Sequence, residues 1–438
     1  MKIRKLLALM LALVLVLAAC GPTNKDGDKK EETKTEDATN KEEAKTEDAK
    51  EEPKKEESAE PVKIVFWHAM NAAQEEALVK LVEGFMAENK NITVELQNQA
   101  GYKELQQKIT ATATSPKDLP TLTQAYPDWM FNPIKDGLVY ELTDFTKNLE
   151  GYEDILEGFR KGTEIDGKVY SMPFNKSTEV LWYNADMFEE LKLDVPTNYE
   201  ELKEVSKKIY EAKKIPGLGF DSLSNYFTTF ITAEGQVYDK NFDVTSDAAK
   251  KAVNYYLDGV KEGYFRIAGT DKYMSGPLGQ EQVAMYIGSN AGETYVLEGA
   301  KDKFTAKAAP SPTPVRIQQG TDVFVFNEAT DEQKAAAEKF LTYITSKDQQ
   351  IEWGIATGYI PARQSALDDD KYKNSGSLIA PILKEATANL YSNPVAGGAN
   401  QAYFEAGNML EAVLSAPEEA NVDEALNNFK TTLEGIWE

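Results

Sequence analysis

The feature that most constrains the fold is a strand-helix-strand pattern that begins at Val62. VKIVFW is a short apolar run typical of a strand, and NITVEL alternates apolar and polar residues from Asn91 onwards. Between these two runs, apolar residues recur at helical spacing at Leu78, Leu81, Val82, Phe85 and Met86. Two strands joined by a helix lie parallel with a right-handed crossover, so the chain is predicted to form an α/β sheet. Ligands bind such sheets beyond the carboxyl ends of the strands, which directs attention to residues 67–70.

The alternation of strand and helix patterns continues along the chain. TEIDGKVYSMPF predicts a hairpin that turns at Asp166 and Gly167, STEVLWYN and TDVFVFN are typical of strands, and Ser246 is placed to cap a helix. The stretch from Ser375 onwards is almost wholly helical in pattern. A chain of 438 residues is longer than one ordinary core, so two packed lobes are expected.

The N-terminus has the pattern of an export signal. Lysine and arginine residues precede an apolar run over residues 6–19 that is too short to span a bilayer comfortably. The run ends in small residues directly before Cys20, the only cysteine, as in the lipobox that it resembles in bacterial lipoproteins. That resemblance implies removal of residues 1–19 and a diacylglyceryl group on the Cys20 sulfur. The alternative, an inert buried thiol, would need a core that this position lacks.

Residues 20–61 are predicted to be a disordered linker that starts with the lipidated cysteine. Beyond Cys20 the segment is mainly Lys, Glu, Asp, Thr and Ala with no large apolar side chain, and the string KTEDA occurs at Lys34 and again at Lys45. Such a segment cannot bury enough apolar surface to fold alone. Blocks of like charge can also act as interaction tails, but the mixed signs favour a spacer.

Charge and composition exclude several classes of function. A formal net charge of -24 argues against nucleic acid, which requires clustered Lys and Arg. His68 is the only histidine, which excludes His-rich metal sites. With Cys20 committed to lipid and no G-x-S-x-G string present, the sequence also argues against Ser-His-Asp and Cys-His arrangements. No phosphate-binding G-x-x-x-x-G-K-[ST] loop occurs, and no cofactor is expected. The paired carboxylates of a glycosidase stay open, because acids occur throughout the chain.

Several motifs together resemble the extracellular solute-binding proteins of ABC importers, in the sugar-binding class. Behind the export signal and spacer come FWHAM, PFNKSTEVLWYN, DEQKAAAEKFL and TGYIPARQSAL, in this order. The branch that binds glycerol 3-phosphate and glycerophosphodiesters is most similar. The resemblance implies a two-lobe periplasmic-binding-protein-like α/β fold whose hinge crossovers let the lobes close on a solute. It places an N-lobe at 62–176 and 323–363 and a C-lobe at 177–322 and 364–438.

The same resemblance implies a set of ligand-binding residues. Tyr102 in AGYKEL, Ser177 in PFNKST and Tyr359 in TGYIP match ligand-contacting positions of the family. Ser289 in IGSNAG and Gly320 in QQGTD fall near other contacting loops, with looser alignment.

Two positions depart from the glycerophosphate branch. Where that branch has an acidic residue in the loop after QAY, this chain has Pro127 and then Asp128, which is a near match. Where it has a phosphate-binding arginine on a C-terminal helix, this chain has Tyr403. These departures favour a neutral saccharide over glycerol 3-phosphate.

The chemistry of the candidate residues suits a polyol. Aromatic rings pack on the C–H faces of sugars, while hydroxyls and carboxylates bind their hydroxyl groups. Trp67, Tyr126 and Trp129 are further candidates for such rings. Each candidate has a simpler explanation: Trp67 ends a strand and Trp182 lies inside one, where both would pack in a core, and His68 would be a hydrogen-bonded structural residue.

Three functions remain. The main hypothesis is a monomeric, non-catalytic binding protein on the outer face of the cell membrane, held by lipid on Cys20, that delivers a sugar, polyol or glycerol-based solute to permease subunits. A secreted glycosidase or esterase would turn over its substrate. An adhesive lipoprotein would function without any pocket.

Overall fold

A computed structural model describes residues 60–437, which belong to one compact unit. Cys20, the export signal and most of the linker lie outside the described residues. The strands are β1 Val62–His68, β2 Ile92–Asn98, β3 Leu122–Ala125, β4 Glu164–Ile165, β5 Lys168–Val169, β6 Ser171–Pro173, β7 Ser177–Asn184, β8 Leu218–Phe220, β9 Phe265–Ile267, β10 Met285–Ser289, β11 Ala306–Pro310, β12 Arg316–Gln319, β13 Asp322–Val325 and β14 Leu390–Tyr391.

The helices alternate with these strands. They are α1 Ala72–Glu88, α2 Tyr102–Thr112, α3 Phe131–Lys135, α4 Thr143–Asn148, α5 Glu157–Lys161, α6 Ala185–Leu191, α7 Tyr199–Lys213, α8 Leu223–Ala233, α9 Asp247–Glu262, α10 Ser275–Gly279, α11 Glu293–Ala300, α12 Asp331–Ile344, α13 Lys347–Thr357, α14 Gln364–Leu367, α15 Asp370–Lys373, α16 Leu383–Ala386, α17 Ala399–Ser415 and α18 Val422–Glu434. No helix of this described part is long and apolar enough to cross a bilayer.

The first lobe is built on a five-stranded sheet with the order β2-β1-β3-β13-β6. β1 is parallel to both β2 and β3, whereas β13 runs antiparallel to β3 and β6. Val62 pairs with Ile92 across a full seven-residue register, and α1 buries Leu78 and Phe85 against the sheet. The strand-helix-strand unit predicted from the sequence is confirmed.

The second lobe is built on a seven-stranded sheet with the order β14-β12-β7-β10-β8-β9, in which β11 also pairs with β7. β7 lies at its centre, antiparallel to β10, β11 and β12. All eight of its residues are buried, because both faces of this central strand are covered. Helices α8, α9, α17 and α18 supply the apolar core on one side, through residues such as Phe227, Tyr256, Leu410 and Phe429.

The chain passes between the sheets twice in the middle of the sequence, between Pro173 and Ser177 and between Gln319 and Asp322. A buried ion pair ties these two crossings together, with Lys176 Nζ 3.0 Å from an Asp322 carboxylate oxygen. Ile360 donates its amide to the Lys176 carbonyl, which brings in a third segment.

The lobe boundaries drawn from the resemblance stay predictions, supported by the two crossings. The structure differs in one stretch that was assigned to the C-lobe. Helices α14 and α15 pack on α13, which packs on α1 of the first lobe. The chain contacts the second sheet again from the turn at residues 380–382 onwards, through α16 and β14, and a return near Gln364 stays a prediction.

Local predictions hold at several turns and caps. Asp166 and Gly167 both have positive φ and join β4 to β5, and Ser246 accepts the amide of Ala249 at the start of α9. The stretch after Ser375 is less helical than predicted. A segment that contains β14 separates α16 from α17, because two residues there complete the edge of the second sheet next to β12.

Candidate functional site

Four aromatic rings meet at the edge of the first lobe, and we call Tyr102, Tyr126, Trp129 and Tyr359 the aromatic wall. Tyr126 follows β3 directly, and Pro127 starts a short 3-10 helix that turns Trp129 back towards the ring of Tyr126, with 5.0 Å between the ring centroids. Tyr102 at the start of α2 packs edge-on against Tyr126 at 5.5 Å and Trp129 at 6.2 Å.

Tyr359 joins this wall from the loop after α13. Its hydroxyl lies 2.9 Å from the hydroxyl of Tyr102, and its ring stacks on Trp353 at 6.1 Å and 7°. Burial raises the pKa of Tyr102 to about 12 and that of Tyr359 well above its usual value. Both phenols are therefore neutral hydrogen-bonding groups at physiological pH.

Asp128 lies between Tyr126 and Trp129 in sequence and accepts a hydrogen bond from the other lobe. Asn400 Nδ2, on α17, donates to its carboxylate at 2.8 Å, and Gln106 of α2 donates to the oxygen of the same Asn400 amide. Loss of hydration raises the pKa of Asp128 to about 6, against the lowering effect of the Asn400 hydrogen bond. The two lobes thus touch across the cleft at Asn400.

The second lobe faces the aromatic wall with polar side chains, and we call Glu179, Asp221, Ser222, Asn225 and Tyr403 the polar wall. Asn225 Nδ2 donates to Glu179 at 2.8 Å, and the Tyr403 hydroxyl donates to Asn225 Oδ1 at 2.6 Å. The Ser222 hydroxyl lies 3.3 Å from that of Tyr403.

Two carboxyl groups of the polar wall have strongly raised pKa values. Burial raises the pKa of Glu179 to about 8, against the lowering effect of the Asn225 hydrogen bond and with a smaller contribution from Asp221. Burial also raises the pKa of Asp221 to about 7, although the Met274 amide donates to it at 2.6 Å. A side chain at Gly288 would lie 2.2 Å from an Asp221 oxygen, so glycine leaves the room that this carboxyl group needs.

Within residues 60–437, the ion pairs do not include Asp128, Glu179 or Asp221. Arg363 follows the Tyr359 loop, but its guanidinium donates to the carbonyls of Thr345 and Gly151 and pairs with Asp154. The described part of the chain also contains no group of three or more residues placed to hold a metal ion.

The structure places Trp67 in a core cluster and not in the aromatic wall, and its contact with a ligand stays a prediction. Its side chain is 4 % exposed and lies in a core cluster with Leu105 and Ile109. The indole nitrogen donates to Gln97 at 2.8 Å, and the Lys108 ammonium covers the ring at 4.3 Å. The strand end that suggested a site therefore carries an ordinary core residue, and His68 beside it is equally buried.

Ser177, Ser289 and Gly320 are not part of either wall. Ser177 begins β7 and is buried, and the Ser289 hydroxyl accepts the amide of Ala291 at 3.2 Å in the turn after β10. Gly320 has a φ of +98°, and a Cβ there would lie 1.7 Å from the Asn175 carbonyl oxygen. Its absence of a side chain lets two crossings approach closely, and ligand contact by these three residues stays a prediction.

Sequence reasoning missed Glu179, Asp221, Asn225 and Asn400. For Glu179 a signal existed, since it is the one charged residue in the strand STEVLWYN, where burial demands an explanation. The other three stand in polar surroundings, and nothing in their local sequence separates them from surface residues.

Comparison with known proteins shows the family of this chain. The sequence profile of the bacterial extracellular solute-binding proteins matches residues 80–380. The chain belongs to this family. The predicted function class, a solute-binding protein of the ABC importer type, is thereby confirmed, and the family consists of binding proteins rather than enzymes.

Relatives and solved structures agree with this assignment. The sn-glycerol-3-phosphate-binding periplasmic protein UgpB of Shigella flexneri is 23% identical over 355 residues, which cover 70% of this solute-binding protein and 75% of the relative. The GacH receptor of Streptomyces glaucescens, known with acarbose, has a TM-score of 0.77 at 21% identity, covering 86% of this chain and 100% of its own.

A second structure, UgpB of Mycobacterium tuberculosis with glycerophosphocholine, has a TM-score of 0.76 at 20% identity, covering 86% of this chain and 98% of its own. These likenesses confirm the two-lobe fold predicted from the sequence.

Proposed function

We propose that this solute-binding protein captures a neutral, hydroxyl-rich solute, a saccharide or related polyol, between the aromatic wall and the polar wall. It acts as a monomer without turning the solute over, and it delivers the solute to the permease subunits of an ABC importer. The ligand contacts are assigned to the four rings of the aromatic wall, to Asp128 and to Tyr403.

The observation that carries the proposal is the set of three carboxyl groups that border the cleft without a cation. A phosphate is usually held by a guanidinium fork, by Lys or by convergent N–H groups. A phosphate buried beside Asp128, Glu179 and Asp221 would itself be the uncompensated charge, because these acids supply no cation whether they are ionised or protonated, and its burial would cost several kcal/mol. A hydroxyl group, in contrast, donates to each of these oxygens, and the rings cover the C–H faces that accompany it.

The solutes of the structural relatives include both saccharides and a glycerophosphodiester. Two of these relatives are known with acarbose and with maltose, and a third is known with glycerophosphocholine. The site described above matches the first two chemically, since it offers hydrogen-bond acceptors and aromatic faces and no paired arginine.

Thermal shift and calorimetry with maltose, maltotriose, sorbitol, glycerol 3-phosphate and glycerophosphocholine test the proposal. A solute that binds only the folded protein raises its Tm by mass action, so a neutral saccharide or polyol should give the largest rise, with one solute per chain. Release of nitrophenol from nitrophenyl glycosides checks for turnover, and none is expected. Tight binding of glycerol 3-phosphate with no saccharide competing would contradict the proposed solute class.

The anchor is part of the same proposal and has its own experiment. A lipid on Cys20 would keep the protein next to its permease, with residues 21–61 as a tether. The Cys20→Ala variant should lose incorporated lipid label and leave the membrane fraction. The anchor assignment would be wrong if the wild type carried no lipid label and the variant sedimented with membranes as the wild type does.

A further inference from the structure

The buried side chain of Glu179 is held in one orientation by a hydrogen bond within the polar wall. It lies on β7 at the centre of the second sheet, and its side chain is 4 % exposed. The one hydrogen bond it makes within the polar wall comes from Asn225 Nδ2 at 2.8 Å. In this hydrogen bond a Glu179 carboxyl oxygen accepts from the amide nitrogen, so the Nδ2 end of Asn225 faces Glu179. The Oδ1 end must then face the opposite way, towards Tyr403.

That orientation determines what the Tyr403 hydroxyl does. The hydroxyl has a single proton, which it donates to Asn225 Oδ1 at 2.6 Å. The contact with Ser222 at 3.3 Å must therefore use the serine proton, with the phenolic oxygen as acceptor. Tyr403 has no proton left for a solute, and its oxygen acts only as an acceptor, which the neighbouring serine hydroxyls Ser222 and Ser224 share.

The groups around Tyr403 have the same character. The Tyr403 hydroxyl is close enough to both Glu179 and Asp128 for each carboxyl group to raise its pKa. Asp128 also influences Tyr126 on the aromatic wall. Tyr403 of the second lobe and Asp128 of the first therefore lie near each other across the lobe boundary.

We propose that Glu179 is a specificity-determining positioning residue that acts through Asn225 to hold Tyr403 as an acceptor. This end of the site then takes a hydrogen-bond donor of the solute, a hydroxyl or ammonium group, and rejects phosphate and carboxylate oxygens. The inference rests on the proposed saccharide function and adds the element that selects the solute. An ionised phosphate oxygen has no proton to offer to these acceptors, whereas every sugar hydroxyl has one.

Two substitutions of Glu179 separate hydrogen-bond acceptance from other roles. Glu179→Met keeps a similar volume and removes the acceptor, so Asn225 is free to rotate and Tyr403 can turn its proton into the cleft. Glu179→Gln keeps a carbonyl oxygen that accepts from Asn225. We expect Glu179→Met to weaken binding of the best saccharide of the panel by about tenfold and to narrow its advantage over glycerol 3-phosphate, and Glu179→Gln to change it by less than about threefold.

A double-mutant cycle with Tyr403→Phe shows whether Glu179 acts through Tyr403. With the hydroxyl gone, Glu179→Met should have no further effect on the Kd for the saccharide, and the Tm shifts of the ligand-free variants should also be non-additive. Tyr238→Phe is the matched control, since Tyr238 donates to the Ala402 carbonyl on the same helix at 2.7 Å without contacting the polar wall. Its effects should add to those of Glu179→Met.

The outcomes distinguish the two proposals. A wild-type protein that responds to no saccharide or polyol of the panel overturns the proposed function. A wild-type protein that binds a saccharide, with fully additive effects of Glu179→Met and Tyr403→Phe on both Kd and Tm, overturns the role of Glu179 alone. A Glu179→Gln variant that loses affinity as Glu179→Met does also overturns it, since charge and not acceptance would then be required.

Discussion

The two walls of the cleft are built in different ways. Three of the four rings of the aromatic wall lie within residues 102–129, directly after strand ends or at a helix start, and contact one another through their faces and edges. The polar wall draws Glu179, Asn225 and Tyr403 from three distant segments and joins them by hydrogen bonds. Rings provide area that any sugar face can use, while an ordered hydrogen-bond chain distinguishes donors from acceptors. On the proposed function, the aromatic wall would retain the solute and the polar wall would select it.

The largest effect should come from removing the buried carboxyl group of the polar wall. The folded-state pKa of Glu179 is about 8 against an ordinary 4.5, so the folded protein binds more protons than the unfolded chain between these values. Stability is therefore highest below about pH 4.5 as far as this group is concerned, and falls as the pH rises towards 8. Urea unfolding should show Glu179→Gln gaining on the wild type between pH 5 and pH 8, by on the order of a few kcal/mol.

A surface carboxyl group serves as the control for that measurement. Glu328 is exposed, and its replacement by Gln should leave the pH dependence of stability as it is in the wild type. Parallel stability curves for wild type and Glu179→Gln would mean that Glu179 is not held as a buried, uncompensated acid.

Truncation of one ring from each side should give the next largest effects and a different pattern. Tyr403→Ala should weaken the best saccharide by roughly 1 to 3 kcal/mol and reduce discrimination against glycerol 3-phosphate, since it removes both a ring and an oriented oxygen. Trp129→Ala should weaken the neutral solutes by a similar amount without changing their order. Calorimetry with each solute of the panel measures the affinity and the selectivity of both variants. If Tyr403→Ala and Trp129→Ala changed the selectivity equally, the two walls would not differ in function.

The contact between the lobes should contribute less. Asn400→Ala removes the hydrogen bond to Asp128 and the one from Gln106, so the closed arrangement should lose about 1 kcal/mol and the solute should dissociate faster. Asn408 is exposed on the same helix, and its amide donates to Glu405 at 3.3 Å, which makes Asn408→Ala a fair control. Stopped-flow dissociation and small-angle scattering should separate the two variants. Identical dissociation rates would show that Asn400 does not hold the lobes together.

The smallest effect is expected for Trp67. Trp67→Phe should cost stability through its lost hydrogen bond to Gln97 and leave the Kd unchanged within about 0.5 kcal/mol. The change in tryptophan emission on solute binding should persist in this variant and disappear in Trp129→Phe. If the solute-induced change in tryptophan emission were lost in Trp67→Phe, Trp67 would have to lie in the solute site.

Sequence patterns predicted what depends on neighbouring residues. The strand-helix-strand unit from Val62, the turn at Asp166 and the cap at Ser246 all rest on local periodicity or on one side chain, and all are present. The resemblance singled out Tyr102 and Tyr359, which the structure brings to 2.9 Å from each other. Trp67 was expected in the site because it ends a strand near the predicted ligand position. A side chain at such a strand end can also point into the core, and sequence alone does not give that direction.

The polar wall was beyond prediction for a physical reason. Its character depends on which end of the Asn225 amide faces Glu179 and on where the Tyr403 proton goes, and neither is a property of residue type. The chain contains many solvated acidic residues, and residue type alone does not separate Glu179 from them. Glu179 differs from them by its burial, which is seen only in the three-dimensional structure.

The position of Tyr403 between two acids also limits how the protein can evolve. An arginine at this position would stand beside Glu179 and Asp128, and their carboxylates would neutralise the cation before any phosphate arrived. Tyr403→Arg alone should therefore lose saccharide binding without gaining glycerol 3-phosphate, a result that calorimetry can check directly. A change of solute class needs at least a second substitution, at Glu179, and the intermediate with only one of the two would bind neither solute well. On the proposed function, a change to phosphate binding would therefore require more than one substitution.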